Sequence, residues 1–290
     1  MEHLVEHALR RLQIRCRRPV EHLLAGEYRS VFKGRGVEFD ELREYAFGDD
    51  VRAIDWRSLA RTGRPHIRRY IEEREQNFIL AVDVSASASF GSGERAKRDA
   101  ATEAAALLAW SAARNKDRVS LLLFTDKAER FIPPARGSNH VLRAISELVE
   151  FQPAHKTTDI AAALDFIGCV TRKRSIVFLV SDFLSTGYEE SLRLLSRRHD
   201  VTAVLVRDPA EQRLPSGGLV QLGDAENGSR RLVDADNCTA MSREPMERFT
   251  RVCREADIGH FEIGPQADCV AAVSAYFHSR RRRTLDEIGG

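Results

Sequence analysis

The chain has no apolar run near the roughly 20 residues that a membrane-spanning helix requires, so no membrane span is expected. It also lacks a dominant charge: Lys and Arg number 45 against 43 Asp and Glu, a formal net charge of +2. With so weak a net field, neither nucleic acid nor an anionic membrane is an expected partner. Cysteine is sparse, with Cys16, Cys169, Cys238, Cys253 and Cys269 scattered singly. That spacing lacks the close pairs of a zinc site or a disulfide framework, so these residues read as reduced thiols. The start, Met1-Glu2-His3-Leu4, lacks the basic-then-apolar order of a signal peptide. Together these absences point to a cytoplasmic protein. Catalytic signatures are missing too: there is no Gly-x-Ser-x-Gly elbow, no P-loop and no His-Glu-x-x-His, which argues against nucleotide hydrolysis by this chain alone.

What is present describes a folded protein, with 43% hydrophobic and 30% charged residues. A length of 290 residues exceeds the usual single domain. The expected layout is an N-terminal module at 1–75 and an α/β domain at 76–290. Leu4, Val5, Ala8, Leu9 and Leu12 recur at helical spacing. Tyr28 to Phe32, a turn at Lys33 to Gly36, and Val37 to Phe39 then suggest a β-hairpin.

Beyond Glu75, short apolar strands alternate with amphipathic helices, which predicts a doubly wound, mostly parallel sheet. Phe78 to Val82, Val119 to Phe124, Ser175 to Val180, Val201 to Val206 and His260 to Ile263 read as its strands. Their uninterrupted apolar character suits a sheet buried on both faces. The tight turn at Thr125 to Ala128 makes Glu129 to Ile132 an antiparallel edge strand, ended by Pro133-Pro134. Asn227-Gly228, flanked by Leu219 to Leu222 and Arg230 to Val233, marks a hairpin insertion at about 209–236. The basic run Arg280 to Arg283 closes the final helical pattern, where cations complement the helix dipole.

In such a sheet, ligands bind beyond the carboxyl ends of the strands. Asp83 and Asp182 follow apolar strands directly, Ser85 and Ser87 extend from the first loop, and Thr158 stands at a loop-to-helix junction. These oxygen donors suit a hard cation of the Mg²⁺ type, with Mn²⁺ or Ca²⁺ as alternatives. Neutral hydroxyls leave the ion undercharged by its ligands, so an outside carboxylate would be drawn to complete its shell. Each piece also has a plainer reading: Asp and Ser after a strand are ordinary turn or N-cap residues, and Thr158 caps a helix. Agreement among three loops favours the metal.

The pattern Asp83-x-Ser85-x-Ser87, Thr158 and Ser181-Asp182 resembles the metal-ion-dependent adhesion site of von Willebrand factor A domains. The likeness covers roughly residues 76–280. It implies a von Willebrand A-like sheet with one antiparallel edge strand, and metal-mediated binding without turnover. Phe183 departs from the glycine that family often has after the aspartate. Upstream, Gly34 to Tyr45, with Gly48 to Trp56 and Ala60-Arg61, resembles the signature of the DUF58 family. That family places this block before a von Willebrand A-like domain and frequently accompanies MoxR-type AAA+ ATPases.

The block from Glu38 to Arg61 mixes Glu, Asp and Arg with Phe39, Tyr45, Ile54 and Trp56. It forms either a buried ion-pair network or an exposed recognition surface, the former favoured. Asp49, Asp50 and Asp55 read more simply as turn and cap residues than as a second metal cluster. The expected function is that of a non-enzymatic adaptor. It recognises an acidic side chain on a protein partner through bound metal, in chaperone-like maturation of complexes with a MoxR-type ATPase. The alternative is a metal-dependent hydrolase or phosphatase with Asp83 as nucleophile. Enzymes that form phosphoaspartate in this topology carry a second acid where this chain has Ser85. His155, a lone loop histidine, reads as polar surface.

Overall fold

A computed structural model describes residues 2–32, 37–72, 75–211, 218–226, 228–234 and 244–289. Its centre is a six-stranded sheet in the order β10-β7-β6-β3-β4-β5. The strands are β3 (Asn77–Asp83), β4 (Arg118–Phe124), β5 (Ala128–Ala135), β6 (Ser175–Ser181), β7 (Asp200–Val206) and β10 (Gly259–Ile263). All neighbours run parallel except β5, which pairs antiparallel with β4 at the edge. That is the expected doubly wound arrangement. The edge strand runs on through Pro133-Pro134 instead of stopping there. Proline is tolerated on an edge because its missing N–H deprives no second neighbour.

Side-chain alternation explains why the strands read as unbroken apolar runs. Phe78, Leu80 and Val82 enter the core on one face, while Ile79 and Ala81 enter the core on the other. The second face is covered by α6 (Ile160–Val170), α7 (Glu189–Arg198) and α8 (Glu244–Glu255). The first face packs against α4 (Lys97–Arg114), α5 (Ser138–Glu150) and α9 (Cys269–Gly289), joined by α1 (Glu2–Pro19) and α2 (Ala25–Phe32). With α1, α2, α5 and α9 all against it, α4 is buried on nearly every side. Its run of alanines lets five neighbours approach closely, whereas a surface helix would carry one apolar stripe.

The hairpin expected at Tyr28 to Phe39 is not what forms. Tyr28, Val31 and Phe32 belong to α2 and recur at helical spacing, so they bury on one helix face with Leu24. Tyr28 donates a hydrogen bond to Asp117 Oδ2 at 2.7 Å and stands among Phe32, Phe78 and Phe277. The aromatic residues that looked like a strand therefore serve tertiary packing. Val37 instead begins β1 (Val37–Glu44), which pairs antiparallel with β2 (His66–Glu72) as a separate two-stranded ribbon. The turn expected at Lys33 to Gly36 lies outside the described residues. The insertion does form a hairpin, β8 (Leu219–Gly223) against β9 (Arg230–Asp234).

Among the described residues, no helix is long and apolar enough to cross a membrane.

Candidate metal centre

Chain order splits around β3: β4 continues to one side and β6 to the other. Such a switch point opens a crevice at the carboxyl ends of the strands. Asp83 ends β3 and Asp182 follows β6, so both carboxylates lie at this crevice, 5% and 9% exposed. Asp83 Oδ1 accepts the Ser85 N–H at 2.9 Å, and its Oδ2 accepts the Ser181 hydroxyl at 2.7 Å. The Ser85 and Ser87 hydroxyls lie 3.1 Å apart, so the first loop turns both toward the same place. Asp83, Ser87, Ser181 and Asp182 line one small cleft together with Lys97.

Thr158 reaches the neighbourhood on a different loop. The Ala86 N–H donates to the Lys156 carbonyl at 3.0 Å, tying that loop to the Asp83 loop. Glu129 fixes its far end by accepting the Thr125 hydroxyl at 2.6 Å and the amides of Ala154 and His155 at 2.8 and 3.1 Å. Burial works to raise the Glu129 carboxyl, yet these hydrogen bonds outweigh it and hold the group below its ordinary range. The Thr158 hydroxyl donates to Glu226 Oε1 at 2.7 Å instead of joining the serines. Capping of α6 falls to Asp159, whose side chain accepts the Ala162 N–H at 3.0 Å. His155 pairs with Asp126 at 3.4 Å, and both side chains are more than a third exposed.

A cation of the chain's own already stands in this cleft. Lys97, only 2% exposed, donates to Asp182 Oδ2 and to Glu211 Oε1, each at 2.7 Å. The Leu184 N–H occupies Asp182 Oδ1 at 3.2 Å. Among the described residues, Asp182 is thus paired with a cation from within the chain. Asp83 is not: burial, reinforced by the nearby charge of Asp182, raises its carboxyl to about 7. A buried carboxylate beside two hydroxyls and a second acid, with no cation of its own among the described residues, is the environment a hard divalent ion relieves. The residues present therefore fit such an ion at Asp83, Ser85 and Ser87. Asp182 lines the same cleft while engaged with Lys97, and Thr158, on a loop tied to the Asp83 loop, is engaged with Glu226. Among the described residues no three His, Cys, Asp or Glu side chains gather as a cluster, so two carboxylates with hydroxyls are the whole candidate set.

A family model described as "Protein of unknown function DUF58" matches residues 41–256. The chain belongs to the DUF58 family. Over 290 residues this DUF58 protein is 33% identical to the "Uncharacterized protein Rv1480" of Mycobacterium tuberculosis, covering 96% of this chain and 90% of that one. The same figures hold for the "Uncharacterized protein Mb1516" of Mycobacterium bovis. Among solved structures, the conserved hypothetical protein BatB from Bacteroides thetaiotaomicron superposes with a TM-score of 0.50 at 13% identity. That match covers 71% of this chain and 99% of BatB, and supports the von Willebrand A-like fold.

Among the described residues, the signature block of this DUF58 protein holds both an ion pair and exposed apolar side chains. Arg43 holds Asp49 through two hydrogen bonds of 2.9 and 2.6 Å, which keep that carboxyl below its ordinary range. Asp55 caps α3 (Trp56–Thr62) by accepting the Arg57 and Ser58 amides. Asp49 and Asp55 therefore serve a turn and a cap. Phe47, Val51 and Trp56, at 105%, 55% and 62% exposure, face solvent. Phe183 adopts φ +54°, a left-handed conformation uncommon outside glycine. Its ring, 1% exposed, packs 4.5 Å from Phe249 and 5.7 Å from Tyr188, which compensates the strained backbone.

Sequence reasoning missed Lys97, Glu211 and Glu226. Lys97 opens a helix, where a lysine ordinarily stays in solvent, and its partner Glu211 lies 114 positions away. The one local signal for Glu226 was the Asn-Gly turn that follows it.

Proposed function

We propose that this DUF58 protein is a non-enzymatic adaptor that binds a divalent cation, Mg²⁺ or a close equivalent, at Asp83, Ser85 and Ser87. Through that ion it recognises an acidic side chain on a protein partner. The observation that carries the reading is the buried Asp83 carboxylate, raised to about 7 and flanked by hydroxyls, while the Lys97 ammonium donates to Asp182 and Glu211. When bound, the ion would offer an open coordination position to a carboxylate oxygen. The chain itself orients Asp83 through the Ser85 amide and the Ser181 hydroxyl, and holds Asp182 in place with Lys97.

Phe47, Val51 and Trp56 are also exposed apolar side chains close together in sequence, available to a protein contact. The choice of a MoxR-type AAA+ ATPase as partner, with a chaperone-like role in the cytoplasm, follows from the family resemblance. Capture of that ATPase by the immobilised full chain, with Mg²⁺ and with chelator, tests the reading. Chelator-sensitive capture that Asp83→Ala abolishes supports it. Capture indifferent to both would place the interface elsewhere.

A further inference from the structure

The amino ends of the sheet strands lie at the pole opposite the candidate metal centre, and a cleft of about 240 Å³ opens there. Asp200, which begins β7, and Gly259, which begins β10, both line it. One wall is a closed polar network. Arg280 donates to both Asp200 oxygens at 2.5 Å, and to the Thr202 and Tyr276 hydroxyls at 3.1 and 3.0 Å. A Cβ at residue 259 would come within 2.5 Å of the Tyr276 hydroxyl, so glycine is what admits that ring. Arg280 and Asp200 are thereby committed to each other and to the wall.

His199 closes the cleft from the end of α7, and its environment is unusual. The residue is 2% exposed, and neither ring nitrogen has a hydrogen-bond partner among the described residues. Buried polar groups ordinarily have one. Burial, then the charges of Arg198 and Arg174, hold the imidazole below its ordinary range, so the ring is neutral and carries one N–H without an acceptor. Arg174 and Arg283 also line the cleft, both exposed, and neither has an ion-pair partner among the described residues. Helix ends account for other cations at this pole, since Arg197 and Arg198 stand in the last turn of α7. They do not account for these two. Arg174 immediately precedes β6, and α9 runs on to Gly289, more than a turn beyond Arg283, although the sequence pattern placed the Arg280 to Arg283 run at a helix end. With Asp200 taken by Arg280, two guanidinia face one remaining acid at the cleft, Asp257.

We infer that this cleft binds a small phosphate-bearing anion, held by the Arg174 and Arg283 guanidinia and by the ring N–H of His199. A phosphate group offers acceptors to all three donors, and guanidinium forks match its geometry. A bound water would pair the imidazole, yet it gives the two guanidinia no counter-charge. The volume falls below the range of about 300–1,000 Å³ usual for pockets that enclose drug-sized ligands, which suits a phosphate with a small organic remainder. None of these residues belongs to the candidate metal centre, so the inference stands apart from the metal-binding reading.

Calorimetric titration of the metal-free full chain with inorganic phosphate, at constant ionic strength set by chloride, tests this. Saturable binding of one phosphate per chain is expected. The double variant Arg174→Gln, Arg283→Gln should weaken it at least tenfold. Arg281→Gln with Arg282→Gln removes the same charge beside the cleft without touching its lining, and should change it less than twofold. All four side chains are exposed, so both variants keep the fold. Equal weakening in the two variants, or no saturable binding by the wild type, overturns the inference. Histidine ring NMR reads the third donor: phosphate should shift one set of ring signals, the set absent from His199→Gln, and ring signals that stay unmoved overturn the role of His199. Glycerol 3-phosphate that competes with phosphate assigns the site to phosphate monoesters, and failure to compete assigns it to the free ion. Tighter binding of a DNA oligomer or of anionic vesicles, weakened equally in both double variants, would make the pole a polyanion surface and overturn the small-anion site.

Discussion

Replacing Asp83 with asparagine should stabilise the metal-free protein above neutral pH. The carboxyl rises from its ordinary 3.8 to about 7, mainly through burial and then through the charge of Asp182. Between those limits the folded state holds a proton that the unfolded chain has released, so wild-type stability falls as pH rises from about 4 to about 7 and is level above. At 1.36 kcal/mol for each tenfold change in proton affinity, the rise corresponds to about 4 kcal/mol. Relaxation around the charge reduces this, and an effect of about 2–4 kcal/mol is expected. Asparagine keeps both contacts, because its oxygen can accept the Ser85 amide and its NH₂ can donate to the Ser181 hydroxyl. Urea unfolding in chelator at pH 5 and pH 8 would measure the gap between variant and wild type. It should be less than half as large at pH 5 as at pH 8. A variant less stable than wild type at pH 8, or a gap independent of pH, would refute the reasoning.

Lys97→Met leaves Asp182 and Glu211 without their shared cation, and should cost about 3–5 kcal/mol in chelator by urea unfolding. Because the change also frees Asp182 Oδ2, Mg²⁺ should restore more stability to this variant than it adds to the wild type. Tyr28→Phe removes the donor to buried Asp117, whose other oxygen still accepts the Gln76 N–H, and should cost about 1–3 kcal/mol in the same assay. Phe183→Gly relieves the left-handed backbone but empties a buried aromatic contact, so thermal unfolding should show a net loss of about 2–4 kcal/mol.

What was legible in the sequence is what local pattern encodes. Strands β3, β6 and β7 announce themselves because burial on both faces removes polar alternation, and Asp83 and Asp182 stand where those runs end. Tyr28, Val31 and Phe32 misled because aromatic and β-branched residues favour strands locally, while tertiary burial against Phe78 and Phe277 selected a helix. Lys97 was not legible at all, and Glu226 only through the Asn-Gly turn that follows it. Each acquires its meaning from a partner far away in the chain: Asp182 and Glu211 for the lysine, Thr158 for the glutamate. The buried lysine changes the reading of the site most. It gives Asp182 a cation already, and so concentrates the need for a metal on Asp83.

The central claim is tested most directly by calorimetric titration of Mn²⁺ into the full chain at pH 8. The account predicts one binding event per chain, weakening as pH falls below about 7 where Asp83 takes a proton, and lost in Asp83→Asn. Binding of equal strength in that variant, or no binding by the wild type, would contradict it.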